Sequence, residues 1–163
     1  MFAAVISVSA FVSIPMPYGV PMTMQTLAVP LAGIVIGPRL GAGAAILYVL
    51  IGAAGLPVFA GFTGGIGAVV GMRGGFIVSF PIMACLAGIG ANAKKNRTVW
   101  TAMGLAAGTA ANFLCGMLMY SLVTGNSPQA SFAACVAPFL PTAAIKAALA
   151  YTLGVRVKGA ITN

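Results

Sequence analysis

Of the side chains that carry charge near neutral pH, this chain of 163 residues has one sign only. It holds eight Lys and Arg and no Asp, Glu or His, for a formal net charge of +8. Acid–base work most often uses an imidazole or a carboxylate, and neither exists among the side chains. A serine nucleophile would lack a charge-relay partner for the same reason. Cys85, Cys115 and Cys135 lie far apart in apolar segments, without metal-ligand spacing, and read as small buried hydrophobes. The glycine run "GIGAVVG" lacks the strand and the acidic residue of a nucleotide fingerprint. Neither an enzyme nor a metal or cofactor site is therefore expected. Ion-coupled pumps use intramembrane carboxylates, which are missing here, so any transport is passive or driven by a partner.

Cations can still bind an anion, and two of them stand apart. Lys146 interrupts the apolar stretch "PTAAIKAALAYTLG", and Arg73 ends a glycine-rich segment. An ionisable residue inside a membrane segment is a candidate functional group. Two readings are open for Lys146. It could face a pocket for an anionic solute together with Arg73, or it could snorkel along its flexible stem to lipid headgroups.

The elements that must position these residues follow from composition. Hydrophobic residues make up 61% of the chain and charged ones 5%, against roughly 25% charged in soluble domains. Uncharged runs cover 1–38, 40–72, 74–93 and 98–145, each longer than the ~18 residues that suggest a spanning helix. The reading is an all-α integral membrane protein, one domain over residues 1–163, with six transmembrane helices. Breakers and charges place these at about 2–14, 23–36, 40–54, 76–93, 99–123 and 142–157, with a glycine-rich linker at 55–75. The first segment carries no Lys or Arg and reads as a spanning helix, not a signal peptide.

With six crossings, Arg39, Lys94, Lys95, Arg97, Arg156 and Lys158 fall on the side of the N-terminus. The positive-inside bias makes that side cytoplasmic, with both termini there. Arg73 and Lys146 then belong to the outer half. The scattered cations form no basic, aromatic-interleaved face, so nucleic acid is not an expected partner, whereas membrane lipid is. Small residues repeat at Gly33, Gly37 and Gly41 and at Gly104 and Gly108, a pattern of close helix packing. Ala3, Ser7 and Ala10 make a similar stripe, read as a candidate docking face for a partner protein.

Several phrases together resemble one family. "IPMPYGVPMTMQTLAVPLAGIVIGPRLG", "LYVLIGAAGLPVFAGFTGGIG", "GGFIVSF" and "PFLPTAAIKAAL" are similar, in order and spacing, to the biotin-transporter BioY family. The resemblance covers nearly the whole chain. It implies the substrate-capturing S component of an energy-coupling factor (ECF) transporter, residing in a bacterial or archaeal plasma membrane. It also implies a pocket for biotin near the outer face, and as partners a transmembrane coupling protein and two cytoplasmic ATPases. Biotin combines an apolar bicycle, a ureido group and a carboxylate, which suits aromatic residues with a few polar groups and cations. The residues expected to line that site are Lys146, Arg73, Gln25, Tyr48, Phe59, Phe76 and Ala143. Lys146 matches the lysine of the family phrase Pro-x-Asp-x-x-Lys, but the aspartate position holds Ala143. Where family members often show Gly-Pro-Thr-Gly-Gly-Tyr, this chain reads "GMRGGF". These departures keep open an S component for another anionic vitamin or precursor. A passive, channel-like membrane protein is the reading in which Lys146 only snorkels.

Overall fold

Lipid offers no partner to a backbone N–H or C=O, so an apolar chain of this kind must bond these groups internally, and helices do so most simply. The computed structural model describes residues 1–162. Helix α1 (Phe2–Phe11) leads through a hairpin of β1 (Ser13–Ile14) and β2 (Met22–Thr23) to α2 (Gln25–Ile36) and α3 (Pro38–Ala53). Two short helices, α4 (Ile66–Val70) and α5 (Gly74–Val78), precede α6 (Phe80–Ala91) and the long α7 (Arg97–Thr124). Then come α8 (Pro128–Cys135), a 3-10 turn at Ala137–Phe139, and α9 (Leu140–Thr162). Three helical stretches are long and apolar enough to cross a membrane: Gly74–Ala91, Arg97–Thr124 and Pro128–Ile161. The first three helices are shorter, with 10, 12 and 16 residues. At ~1.5 Å per residue even the longest of these rises only about 24 Å.

Helix boundaries depart from the sequence reading where another partner competes for the backbone. The first helix stops at Phe11, not at residue 14, because Ser13 and Ile14 pair in antiparallel register with Thr23 and Met22. The stretch expected as one helix over 76–93 is two, meeting at Ser79. Pro81 has no N–H for the Ile77 carbonyl and is tolerated only in the first turn of a new helix. The last helix begins earlier and ends later than 142–157. Helix α7 ends at Gly125, whose φ of +70° places it in the left-handed region that glycine adopts without strain.

Helix α6 is the hub, packed against α2, α3 and α7. Glycine makes this possible. A Cβ on Gly33 of α2 would strike the Ala84 carbonyl of α6, and one on Gly41 of α3 would lie 2.6 Å from the Gly33 Cα. Gly88 of α6 approaches Pro38 of α3 in the same way, and Gly104 of α7 meets the Leu86 carbonyl. The glycine repeats thus serve contacts within this chain. Buried Ala28, Val29, Ala45, Tyr48, Phe80, Met83 and Ala84 fill the space around them. The small-residue stripe of α1 is packed against the bundle as well. Ala3 and Ala10 are buried and Ser7 is half-buried, its hydroxyl donating to the Ala3 carbonyl. Helix α1 packs against α2 and α3.

Cations gather at opposite ends of the bundle. Lys158 donates to the Asn92 Oδ1, joining the end of α9 to the end of α6, and Asn92 also lies near the α2–α3 turn at Gly37. Arg73 and Lys146 lie at the other end, beside the hairpin.

Candidate functional site

The residues between β1 and β2 contain three prolines, which favour extended and turn backbone over helix. Their carbonyls therefore need donors from elsewhere. Arg73, capping α5, donates through Nε to the Gly19 carbonyl at 2.8 Å. Lys146, in α9, donates through Nζ to the Thr23 carbonyl at 2.6 Å. Tyr120 of α7 adds a longer bond, 3.4 Å, from its hydroxyl to the Tyr18 carbonyl. With no acidic side chain in the protein, backbone carbonyl dipoles are what faces these two cations. An ammonium has three donors and a guanidinium five, and each cation uses one on the hairpin. The others are available to an anion.

Both cations border one cavity of about 520 Å³. Val20, Pro21 and Thr23 of the hairpin form one wall, and Ala60, Thr63, Gly64 and Gly67 of the glycine-rich linker another. Phe59, Phe76, Phe80, Phe113 and Phe139 supply an aromatic lining. Ala143, one turn before Lys146, is also in the wall and contributes no polar atom. Gln25 and Asn112 are the carboxamides of the lining. Gln25 is buried at the start of α2, and its Nε2 donates to the Tyr48 hydroxyl at 2.5 Å. Tyr48 in turn donates to the Val58 carbonyl at 3.3 Å, which ties α3 to the linker.

Six of the seven residues expected at the binding site thus border the cavity: Lys146, Arg73, Gln25, Phe59, Phe76 and Ala143. Tyr48 does not. It is fully buried behind the wall, edge-on to Phe59 with ring centroids 5.4 Å apart, and it holds Gln25 in place. Sequence reasoning passed over Asn112. A neutral amide within "GTAANFLCG" gives little contrast in hydropathy, and only its burial among apolar helices marks it. A second hollow, about 560 Å³, lies between α7 and α9 and is lined mainly by alanines with Leu105, Phe113, Leu140 and Tyr151. No charged side chain reaches it.

The first cavity can take a small, mostly apolar molecule with an anionic end and amide-like polar groups. Its size falls within the ~300–1,000 Å³ of small-molecule sites. The family model described as the BioY family matches residues 1–163. A probable biotin transporter BioY of Pyrococcus horikoshii is 38% identical over 159 residues, 98% of this chain and 93% of that protein. The biotin transporter BioY of Thermotoga maritima is 35% identical, over 97% of this chain and 92% of the relative. That of Rhodobacter capsulatus is 36% identical over 90% and 83%. Among solved structures, the S-component for biotin from an ECF-type ABC transporter superposes with a TM-score of 0.83. It is 24% identical, with 99% of this chain and 87% of that one covered, and it shows a shared fold.

Proposed function

Since this chain belongs to the BioY family, we propose that it captures biotin as the S component of an ECF-type transporter, with Lys146 and Arg73 receiving the carboxylate. The observation that carries this reading is the pair of cations on one apolar cavity, each with donors left over and no acidic side chain to compete for them. The phenylalanine rings would enclose the bicycle, and Gln25 would meet a polar group of the ligand. Tyr48 acts one step removed, by orienting Gln25.

The same reading places one domain of six crossings in the membrane, through α1, α2, α3, α5 with α6, α7, and α8 with α9. The end bearing Lys158 faces the cytoplasm with both termini, and the cavity opens near the outer face. The chain has no Asp or Glu for ion coupling, so energy would come from a transmembrane coupling protein and two ATPases. For assembly with the coupling protein, the same reading assigns the α1 stripe of Ala3, Ser7 and Ala10 as the docking face.

Saturable binding of labelled biotin by the purified protein tests the proposal. Biotin should bind tightly and biotin amide, which lacks the carboxylate, poorly. Tight binding of a different anionic vitamin in place of biotin would reassign the substrate. Absence of binding for every such compound would sink the capture function.

A further inference from the structure

The cavity that borders Lys146 and Arg73 contains one more group that the fold has prepared and left unused. Asn112 is 1% exposed and lies on the wall. Its Nδ2 donates to the Phe76 carbonyl at 2.9 Å and to the Ser79 Oγ at 2.8 Å. Ser79 gives its own hydroxyl hydrogen to the Phe76 carbonyl, 3.0 Å away, so its oxygen is free to accept. Both amide hydrogens are therefore taken, and turning the amide over would set Oδ1 against a carbonyl. The orientation is fixed. Oδ1 is left buried without a hydrogen-bond partner among the described residues.

Buried acceptors seldom go unmatched in native proteins, and an exception asks for a reason. Ser131 Oγ is a second such atom, but Ser131 does not border the cavity. Asn112 does, and so does Ala143. Position 143 is where a carboxylate would be expected and none is present.

We infer that Asn112 Oδ1 accepts a ureido N–H of the bound ligand, supplying from α7 the acceptor that residue 143 of α9 lacks. This rests on the biotin reading. Gln25 follows the same logic from α2: its nitrogen is tied to Tyr48, and its Oε1 is the remaining acceptor for the second N–H of a cyclic urea. Replacing a carboxylate by neutral amides has a chemical consequence. A carboxylate accepts well from both a neutral urea and a cationic guanidinium. Two carboxamides can accept from either, but they bring no negative charge to offset a guanidinium held near Arg73 and Lys146. The protein should therefore discriminate against 2-iminobiotin, in which a cyclic guanidinium replaces the urea.

The test compares biotin with 2-iminobiotin at pH 7 by equilibrium binding to the intact protein and to two variants. The parent should prefer biotin at least tenfold. Asn112→Leu should lose at least tenfold in biotin affinity and bind a ureido N-methylated biotin no worse than the parent does. Asn112→Asp would set a carboxylate oxygen against the Phe76 carbonyl, so the missing negative charge is restored by Ala143→Asp, which should narrow or reverse the preference against 2-iminobiotin. A parent that binds both ligands equally, or an Ala143→Asp protein with unaltered preference, overturns the inference while leaving biotin capture intact. Equal losses for biotin and its N-methylated form in Asn112→Leu would assign Asn112 to holding α5 alone. A parent that takes up no biotin would instead refute the underlying reading.

Discussion

The frame formed by α2, α3 and α6 and the hairpin wall beside the cavity are held by opposite means. In the frame, backbone meets backbone: Gly33, Gly41 and Gly88 let the helices touch with no side chain between them. At the hairpin, long side chains reach from α5, α7 and α9 to single carbonyls. Contacts of the first kind have no slack, because a helix backbone cannot step aside without its neighbours. Those of the second kind can open and close by rotamer changes in Lys146 or Arg73. The comparison teaches that the rigid and the adjustable parts of the site are built from different atoms, so substitutions in them should differ in kind.

The largest effect is expected in the frame. Gly33→Leu places a side chain into the Ala84 carbonyl of α6. Overpacking of ordinary core sites costs ~1–3 kcal/mol, and here the obstacle is backbone, so the loss should reach or exceed the top of that range. Gel filtration in detergent and thermal melting would show it. A monodisperse protein with parental melting would mean that α2 and α6 can separate freely, and the contrast drawn above would fail.

A smaller and different effect is expected from Lys146→Met. Removing one partner of a buried charged hydrogen bond typically costs ~2–5 kcal/mol of binding, so biotin affinity should fall at least about tenfold. Melting should change little, since the Thr23 carbonyl is then the only group to lose a bond. Biotin amide should lose far less than biotin on the same substitution. Equal losses for acid and amide would take the carboxylate away from Lys146.

The smallest effect belongs to Tyr120→Phe. Its hydroxyl bond to Tyr18 is 3.4 Å long, and a typical hydrogen bond contributes only ~0.5–1.5 kcal/mol net. Melting should fall by no more than the low end of that range, with biotin affinity within about twofold of the parent. A larger loss, read from the same melting and binding curves, would show that the hairpin depends on neutral bonds as much as on the two cations.

How far the sequence disclosed this arrangement depended on contrast. Lys146 and Arg73 stood out because a charge in an apolar run is conspicuous, and composition alone announced the membrane. Asn112 sits among alanines and threonines on a helix whose polarity is mild everywhere, so nothing local distinguished it. The hairpin was hidden because two-residue strands have no periodicity, and the break at Ser79 because Pro81 can either kink a helix or begin one. The α1 stripe reads as a docking face since small residues invite any close partner, and sequence does not say whether that partner is the same chain. Ala143 was visible as a departure, but the acceptor proposed to replace it comes from a different helix, and only the fold sets both on one cavity.

The hydrogen bonds that fasten the hairpin also set an order in time. Arg73 lies 54 residues beyond Gly19, Tyr120 lies 102 beyond Tyr18, and Lys146 lies 123 beyond Thr23. Synthesis delivers the N-terminal segments first, so the hairpin emerges long before its fasteners do. The contacts of Gly33 with α6 and of Gly41 with α2 can all form once residue 91 has been inserted. The last fastener arrives with α9. A nascent chain halted before α9 would hold a finished frame beside an unfinished chamber, and the binding site would be the final part of the molecule to mature.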